Sequence, residues 1–295
     1  MDGILVIGSY NRDTVLRLDR FPAPGETMTA LGMAEFHGGK GSNQAVAAAR
    51  AGGRVGIIAA LGDDAAGQAA RALWAEEGIA AEAVQTTQAP TGAATILLDA
   101  AGENQIIIIP GANAELTLPL GFTPPPDIAV ALAQLETPQA ATAALFRSLT
   151  GARRILNVAP AAAILPELLS VTDMLVLNET EAAILAQREA EPAALAIALA
   201  AETMREVILT AGAIGAFWAR PDGVVIDAAP PRVAVTDTTG AGDAFLGAFA
   251  AFSAEGLAQE RILRQAVTAG ALACTQDGAV PSLPYRAAIL AFPGH

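Results

Sequence analysis

Short β-branched runs alternate with alanine-rich helical stretches along most of this chain, and nothing else in the sequence limits its fold so strongly. That rhythm predicts parallel strands joined by covering helices. The runs "GILVIGS" (3–9), "RVGIIAAL" (54–61), "DIAVALAQL" (127–135), "RRILNVAP" (153–160), "DMLVLNE" (173–179) and "EVILTAG" (206–212) read as buried strands. Each ends on a polar or glycine-containing side, where open α/β sheets bind their ligands. Between them "GSNQAVAAARAG", "DAAGQAARALWAEEG", "TPQAATAALFRSLTG" and "ETEAAILAQ" have helical composition and glycine stops. At 295 residues and 53% hydrophobic content, the chain has ample material for a large core. The expectation is a single α/β domain over residues 1–295, with a mostly parallel central sheet.

Two segments interrupt the rhythm. Residues 14–37 and 91–112 look like antiparallel hairpin material, with turn signals at Pro22 to Gly25 and Gly102 to Asn104. Both are expected in a small separate sheet, over about 12–37 and 91–112. Within the second, Ile106 to Ile109 form an all-apolar strand that either pairs with a second subunit or faces the main domain.

Composition narrows the chemistry. A net charge of −13 lacks the basic footprint of a nucleic-acid binder. The strongly apolar charge-free stretch from Val207 to Ala219 is too short for a membrane span and is broken by glycines. "MDGILVIGSYN" has an acid where a secretory leader has a base, and the single Cys274 fits a reducing cytoplasm. With only His37 and His295, a Ser-His-Asp hydrolase or a histidine-rich zinc site is disfavoured. Carboxylates, Lys40, backbone amides and a hard cation remain.

Several clusters offer such groups. In "HGGKGSNQA" (37–45), glycines permit close backbone approach, Lys40 brings charge and Asn43 brings an amide, a set suited to a polyhydroxylated ligand or to a helix-entry turn. Lys40 is followed by Gly41, so this is not a Walker A loop. Asn11 and Asp13, two apart, share a face if extended, though they equally fit a solvated loop. In "NETE" (178–181), Asn178 and Glu181 have capping-box spacing, and carboxylates at a strand's end also suit Mg²⁺ held largely through waters. "LTAGAIG" (209–215) places Thr210, Gly212 and Gly215 after a strand, where a nucleotide or an ordinary turn would sit. In "TDTTGAGDAF" (236–245), the glycines precede a helix start whose amides favour an anion, and Asp243 stands at that mouth. An acid there is either a helix cap or a group that takes the proton of an attacking hydroxyl. The stretch does not complete a dinucleotide fingerprint, because Phe245 stands where the third glycine belongs.

Taken together, these motifs resemble the ribokinase-like family of sugar and nucleoside kinases. The signatures are "GGKGSNQAVAAARAG" (38–52) and "DTTGAGDAFLGA" (237–248), with "PAPGET", "GANAELT", "NVAPA" and "LNETEA" in order around them. The resemblance runs from "GSYNRD" to "GAVPSLP". It implies a Rossmann-like fold with a small antiparallel β lid that often pairs two subunits. It assigns Asp243 as catalytic base and Gly240, Ala241 and Gly242 as an anion hole. Asn11, Asp13, Gly39, Lys40, Gly41, Asn43 and Glu136 match sugar contacts. Asn178, Thr210, Gly212, Gly215 and Gly242 match ATP contacts, and Glu181 a motif associated with Mg²⁺. Asp237, Thr239, Ala273, Gln276, Gly278 and Ser282 match an activating K⁺ site, several through backbone carbonyls. Val267 departs from the family, which often has His or Asn near the adenine. The implied activity is ATP-dependent phosphorylation of D-ribose at O5 by a cytoplasmic homodimer. A same-family kinase for a nucleoside, another pentose or a ketohexose is the alternative, and a non-catalytic sugar-binding protein a more distant one.

Overall fold

The computed structural model describes residues 3–119 and 121–292, so His295 lies outside the described residues. Among the described residues there are fourteen strands: β1 Gly3–Ile7, β2 Asn11–Arg17, β3 Gly32–Gly38, β4 Arg54–Ile58, β5 Ala60–Gly62, β6 Gln85–Thr87, β7 Ala93–Leu98, β8 Asn104–Ile109, β9 Ile128–Ala133, β10 Arg153–Asn157, β11 Met174–Asn178, β12 Glu206–Thr210, β13 Ala216–Ala219 and β14 Val225–Ala228. The helices are α1 Lys40–Arg50, α2 Ala65–Glu76, α3 Gln139–Ser148, α4 Pro166–Ser170, α5 Glu179–Ala186, α6 Pro192–Thr203, α7 Ala241–Ala254, α8 Gln259–Ala273, α9 Ala279–Ser282 and α10 Arg286–Ala291.

Eight strands build the main sheet in the order β14-β13-β12-β11-β10-β9-β1-β4. The six from β12 to β4 run parallel, as the alternation of runs predicts. Their side chains alternate between two cores, one on each face. Ile4 and Val6 of β1 join one core, and Leu5 and Ile7 the other; Met174 and Val176 of β11 oppose Leu175 and Leu177 in the same way. That two-sided burial explains why the strands read as continuous apolar runs instead of alternating ones. Helices α1, α2, α7 and α8 cover the first face, and α3 to α6 the second. The antiparallel β13 and β14 extend the sheet beyond β12. The run from Val207 to Ala219 is therefore a strand, a turn and a second strand.

The two interrupting segments form a separate four-stranded sheet in the order β3-β2-β7-β8. Each hairpin, β2–β3 and β7–β8, is antiparallel, and the seam between them, β2–β7, is parallel. Both turn signals are used: the Glu26 amide bonds the Ala23 carbonyl, and the Gly102 amide bonds that of Asp99. In the first hairpin, however, residues 18–31 leave the ladder as a long loop. Strand β8 sits at the sheet edge with Ile106 to Ile109 each at least half exposed.

Candidate active site

The site lies at the carboxyl ends of the parallel strands, where β1, β9, β10, β11 and β12 stop and the smaller sheet departs. A cleft of about 220 Å³ opens there, lined by Lys40, Asn157, Asn178, Thr210, Gly242 and Asp243 among others. Its walls come from elements that the sequence keeps far apart: the entry to α1, the ends of β10, β11 and β12, and the head of α7.

Asp243 is the third residue of α7, after the N-cap Gly240, whose φ of 79° is left-handed and suits glycine. The side-chain bonds of its carboxylate run to α1. Asn43 Nδ2 donates to Oδ2 at 3.0 Å and Gln44 Nε2 to Oδ1 at 2.9 Å, so the cap reading of this acid gives way to one in which α1 holds it. The two helices meet this closely because of Gly247. A Cβ there would come within 2.3 Å of Ala47 Cβ and 2.5 Å of the Ala48 amide nitrogen. One helical turn back from that contact, Asn43 and Gln44 face Asp243. Burial raises the Asp243 carboxyl above its ordinary range, opposed by the Lys40 ammonium and the Gln44 and Asn43 amides.

At the head of α7, the Ala241 amide bonds the Thr238 carbonyl at 3.2 Å, so Ala241 shapes the turn without offering a free donor. The Gly242 and Asp243 amides, in the first turn, have no carbonyl partner within the helix. Gly242 is exposed, and a Cβ there would meet nothing within 4 Å, so this end of the helix opens to the cleft.

The "HGGKGSNQA" glycines serve the protein's own backbone. A Cβ on Gly39 would lie 2.6 Å from Tyr10 Cα, and one on Gly41 2.5 Å from the Ser9 nitrogen. They let the start of α1 press against residues 8–11, which brings Lys40 to the cleft mouth. Glu136, just past β9, accepts from the Lys40 amide at 2.9 Å and from the Ser9 hydroxyl. Burial works against the Lys40 ammonium, yet Asp243, Glu136 and Glu181 together hold its pKa above the ordinary lysine value.

Asn11 and Asp13 enter from β2. Asn11 accepts from Asn113 Nδ2 at 2.9 Å, and Asn113 also bonds both backbone groups of Tyr10. Asp13 packs against Gly38, where a Cβ would lie 2.1 Å from Oδ2. Its buried Oδ1 has no partner, and burial followed by the Glu136 charge pushes its pKa up to about 7.

On the opposite wall Asn178 and Thr210 are register partners at the ends of β11 and β12. The predicted capping box is present: Asn178 Oδ1 accepts from the Glu181 amide, and Glu181 Oε2 from the Asn178 amide, both at 2.8 Å. Burial raises the Glu181 carboxyl. Gly215 has a fold-based reason to be glycine, since a Cβ would lie 2.0 Å from the Ala228 carbonyl oxygen, whereas Gly212 faces open space.

Behind the α7 head, Asp237 accepts from the Thr239 amide and hydroxyl at 2.9 and 2.7 Å and from the Gly278 amide at 2.9 Å. The Thr236 amide bonds the Cys274 carbonyl, and Ser282 Oγ bonds the Ala279 carbonyl. Loops 236–240 and 273–282, carrying Ala273, Gln276 and the other expected cation residues, are thus laced together. Val267 is a buried core residue of α8.

An acid held at a helix head beside a cleft at the strand ends can be set against known proteins. A model of the pfkB family carbohydrate kinases matches residues 1–286. The chain belongs to that family. Among pfkB-type relatives, the ribokinase of Haemophilus influenzae is 36% identical over 302 residues, covering 99% of this chain and 98% of the relative. That of Bacillus subtilis is 34% identical over 292 residues, covering 97% of each. A solved ribokinase from Thermotoga maritima superposes with a TM-score of 0.90 at 32% identity, covering 99% of both chains. An Arabidopsis thaliana ribokinase complexed with ribose and ATP gives 0.89 at 30%, covering 98% of this chain and 97% of that one.

Beside the expected residues, the site contains Ser9, Gln44, Asn113, Gln134 and Asn157. Gln44, Asn113 and Asn157 lie inside motifs visible in the sequence, but only the folded contacts reveal what each one touches.

Proposed function

We propose that this pfkB-family kinase transfers the γ-phosphoryl group of ATP to O5 of D-ribose, giving ribose 5-phosphate and ADP. The observation that carries the reading is Asp243, buried at the head of α7 with both oxygens fixed by α1, beside helix amides that face a cleft. The ribokinase relatives and the Arabidopsis complex supply the substrates. Asn11, Asp13, Lys40, Asn43 and Glu136 form a compact polar set suited to a small free sugar rather than to the base of a nucleoside.

In the transfer, Asp243 accepts the O5 proton as O5 bonds the γ-phosphorus and the bond to the β–γ bridging oxygen breaks, releasing ADP. The raised carboxyl is the stronger base for that step. The Gly242 and Asp243 amides and Lys40 stabilise the charge spreading over the transferred oxygens. Asn178 and Thr210 line the nucleotide side. Among the described residues no group of three or more His, Cys, Asp or Glu is placed to hold a metal ion. Glu181 alone at the cleft fits Mg²⁺ held largely by phosphates and waters, where it would neutralise phosphate charge. The laced loops around Asp237 and Gly278 fit a K⁺ bound mostly by carbonyls, which would fix the anion-hole turn.

The smaller sheet acts as a lid that closes over the sugar and excludes water, and the exposed isoleucines of β8 pair two copies of the chain. Among the described residues no helix is long and apolar enough to cross a membrane, and a cytoplasmic location matches the ATP supply. ATP consumption measured with ribose, other pentoses, fructose and adenosine tests the substrate. Ribose is expected to lead, and a clear preference for adenosine would overturn the assignment.

A further inference from the structure

We propose that Gln44 is a positioning residue for Asp243, and that the buried amides of Gln134, Gln44 and Asn157 form a relay fixing the direction and basicity of that carboxylate. The inference rests on Asp243 being the general base. Gln44 is completely buried, Gln134 is 1% exposed and Asn157 7%. Uncharged amides held this deep need a reason, because each polar atom left unpaired costs desolvation.

The bonds have a single consistent polarity, set by a backbone carbonyl. Asn157 Nδ2 donates to the Val176 carbonyl at 3.1 Å, and a carbonyl can only accept. Asn157 therefore presents Oδ1 to Gln44. Gln44 Nε2 spends one hydrogen there at 3.1 Å and the other on Asp243 Oδ1 at 2.9 Å. Its Oε1 must then turn the other way, where Gln134 Nε2 donates to it at 2.6 Å. A reversed Gln44 would set an oxygen against the carboxylate and against Asn157 Oδ1. The strand ends β9 and β10 thus dictate, through two side chains, which face of Gln44 meets the acid. Gly8 makes room for the relay, since a Cβ there would lie 2.1 Å from Gln134 Oε1.

Asn43 holds the other oxygen alone, and its own Oδ1 is buried without a partner. Gln44 is the donor whose orientation the fold enforces. The charged groups facing Asp243 are Lys40 at the start of α1, Glu136 beyond β9 and Glu181 on α5. The lysine favours the carboxylate and the two acids oppose it, so the amide bonds work with the lysine in favouring the charged form against burial.

The test is the pH profile of kcat/KM for ribose between pH 5 and 9, for the intact protein and for Gln44→Met, Gln134→Met and Asp243→Asn. Gln44→Met removes a donor to the charged form, so its acidic limb is expected to move up by about one to two pH units, with activity recovering at alkaline pH. Gln134→Met frees Gln44 to rotate, and its limb is expected to move the same way by less. Unshifted limbs in both variants would overturn the relay. Should Gln44→Met fail to fold, the limb of Gln134→Met decides the matter in the same way. Near-normal turnover by Asp243→Asn would sink the base assignment itself, an outcome distinct from unshifted limbs in the glutamine variants.

Discussion

Core and lid treat a half-hidden or hidden acid in opposite ways. In the core, Asp243 has a donor on each oxygen, supplied by a helix packed at glycine contact distance. On the lid, Asp13 is pushed into the fold against Gly38 with Oδ1 left unpaired. The first acid is complete before any substrate arrives. The second has a buried oxygen that the proposed sugar hydroxyl would satisfy, and its energy in the free protein is raised accordingly. In the proposed reaction the base is thus held in place by the core before substrate arrives, while the proposed sugar contact on the smaller sheet still lacks a partner.

The largest effect expected from disturbing this contrast is on the core side. Asp243→Asn should lower kcat by roughly two or more orders of magnitude, the usual scale of general-base catalysis, with the fold retained in circular dichroism. Activity close to normal would remove Asp243 from the chemistry.

A matched pair of glycine substitutions compares the two regions directly. Gly247→Ala drives a methyl into the backbone of α1, so it should cost about 1–3 kcal/mol in denaturant unfolding and depress kcat by displacing Asn43 and Gln44. Gly38→Ala meets the Asp13 carboxylate first; it should leave kcat nearly unchanged while raising the KM for ribose about tenfold, the scale of one charged hydrogen bond. Equal effects of the two on kcat would erase the division between regions.

Asp13 also carries a pH signature. The unfolded chain releases this proton near 3.8, whereas the folded protein keeps it until about 7. Between those values the folded state binds more protons, so this group makes stability fall as pH rises, with the full loss present above about 7. Asp13→Asn should therefore raise stability by roughly 1–2 kcal/mol at pH 8 and leave it unaltered near pH 4, read from melting curves of the sugar-free protein. A gain independent of pH would refute the cause given. The smallest effect on the chemistry is expected from Ile107→Lys, which should shift sedimentation towards a single copy of the chain while transfer by the core persists. Unaltered sedimentation would remove β8 from the subunit contact.

The same division governs what could be read from sequence. Strands buried on both faces are written as apolar runs, so the six parallel strands of the core were visible, as was the capping box of Asn178 and Glu181. Strands β13 and β14 were not, because β13 reads as a continuation of the run through Val207 and β14 is short and partly exposed. Within the site, charge and glycine stood out and neutral amides did not. Gln44 stands beside Asn43 in the same motif, yet its role depends on Gln134 and Asn157, whose approach is a property of the sheet. The glycines at 39 and 41 were conspicuous, but folding alone showed that they approach residues 8–11 of the protein itself. A cation site made of carbonyls leaves still less trace, because every residue has one.

The parallel seam within the smaller sheet governs how that sheet can move. Asn11 pairs with Gly38, Arg12 with Ala93, and Ala93 with Ile109, so all four points where chain crosses from core to lid fall along one edge. Such a plate is joined on one side, like a page bound at its spine, and the proposed closure would swing about that line instead of unrolling from a single loop. At a rise of about 3.3 Å per residue, Asp13 lies roughly 7 Å from the spine and Arg17 roughly 20 Å. A swing that carried the far end well clear of the cleft would move Asp13 only about a third as far, so the acid proposed to meet the sugar would stay near its post even with the page open.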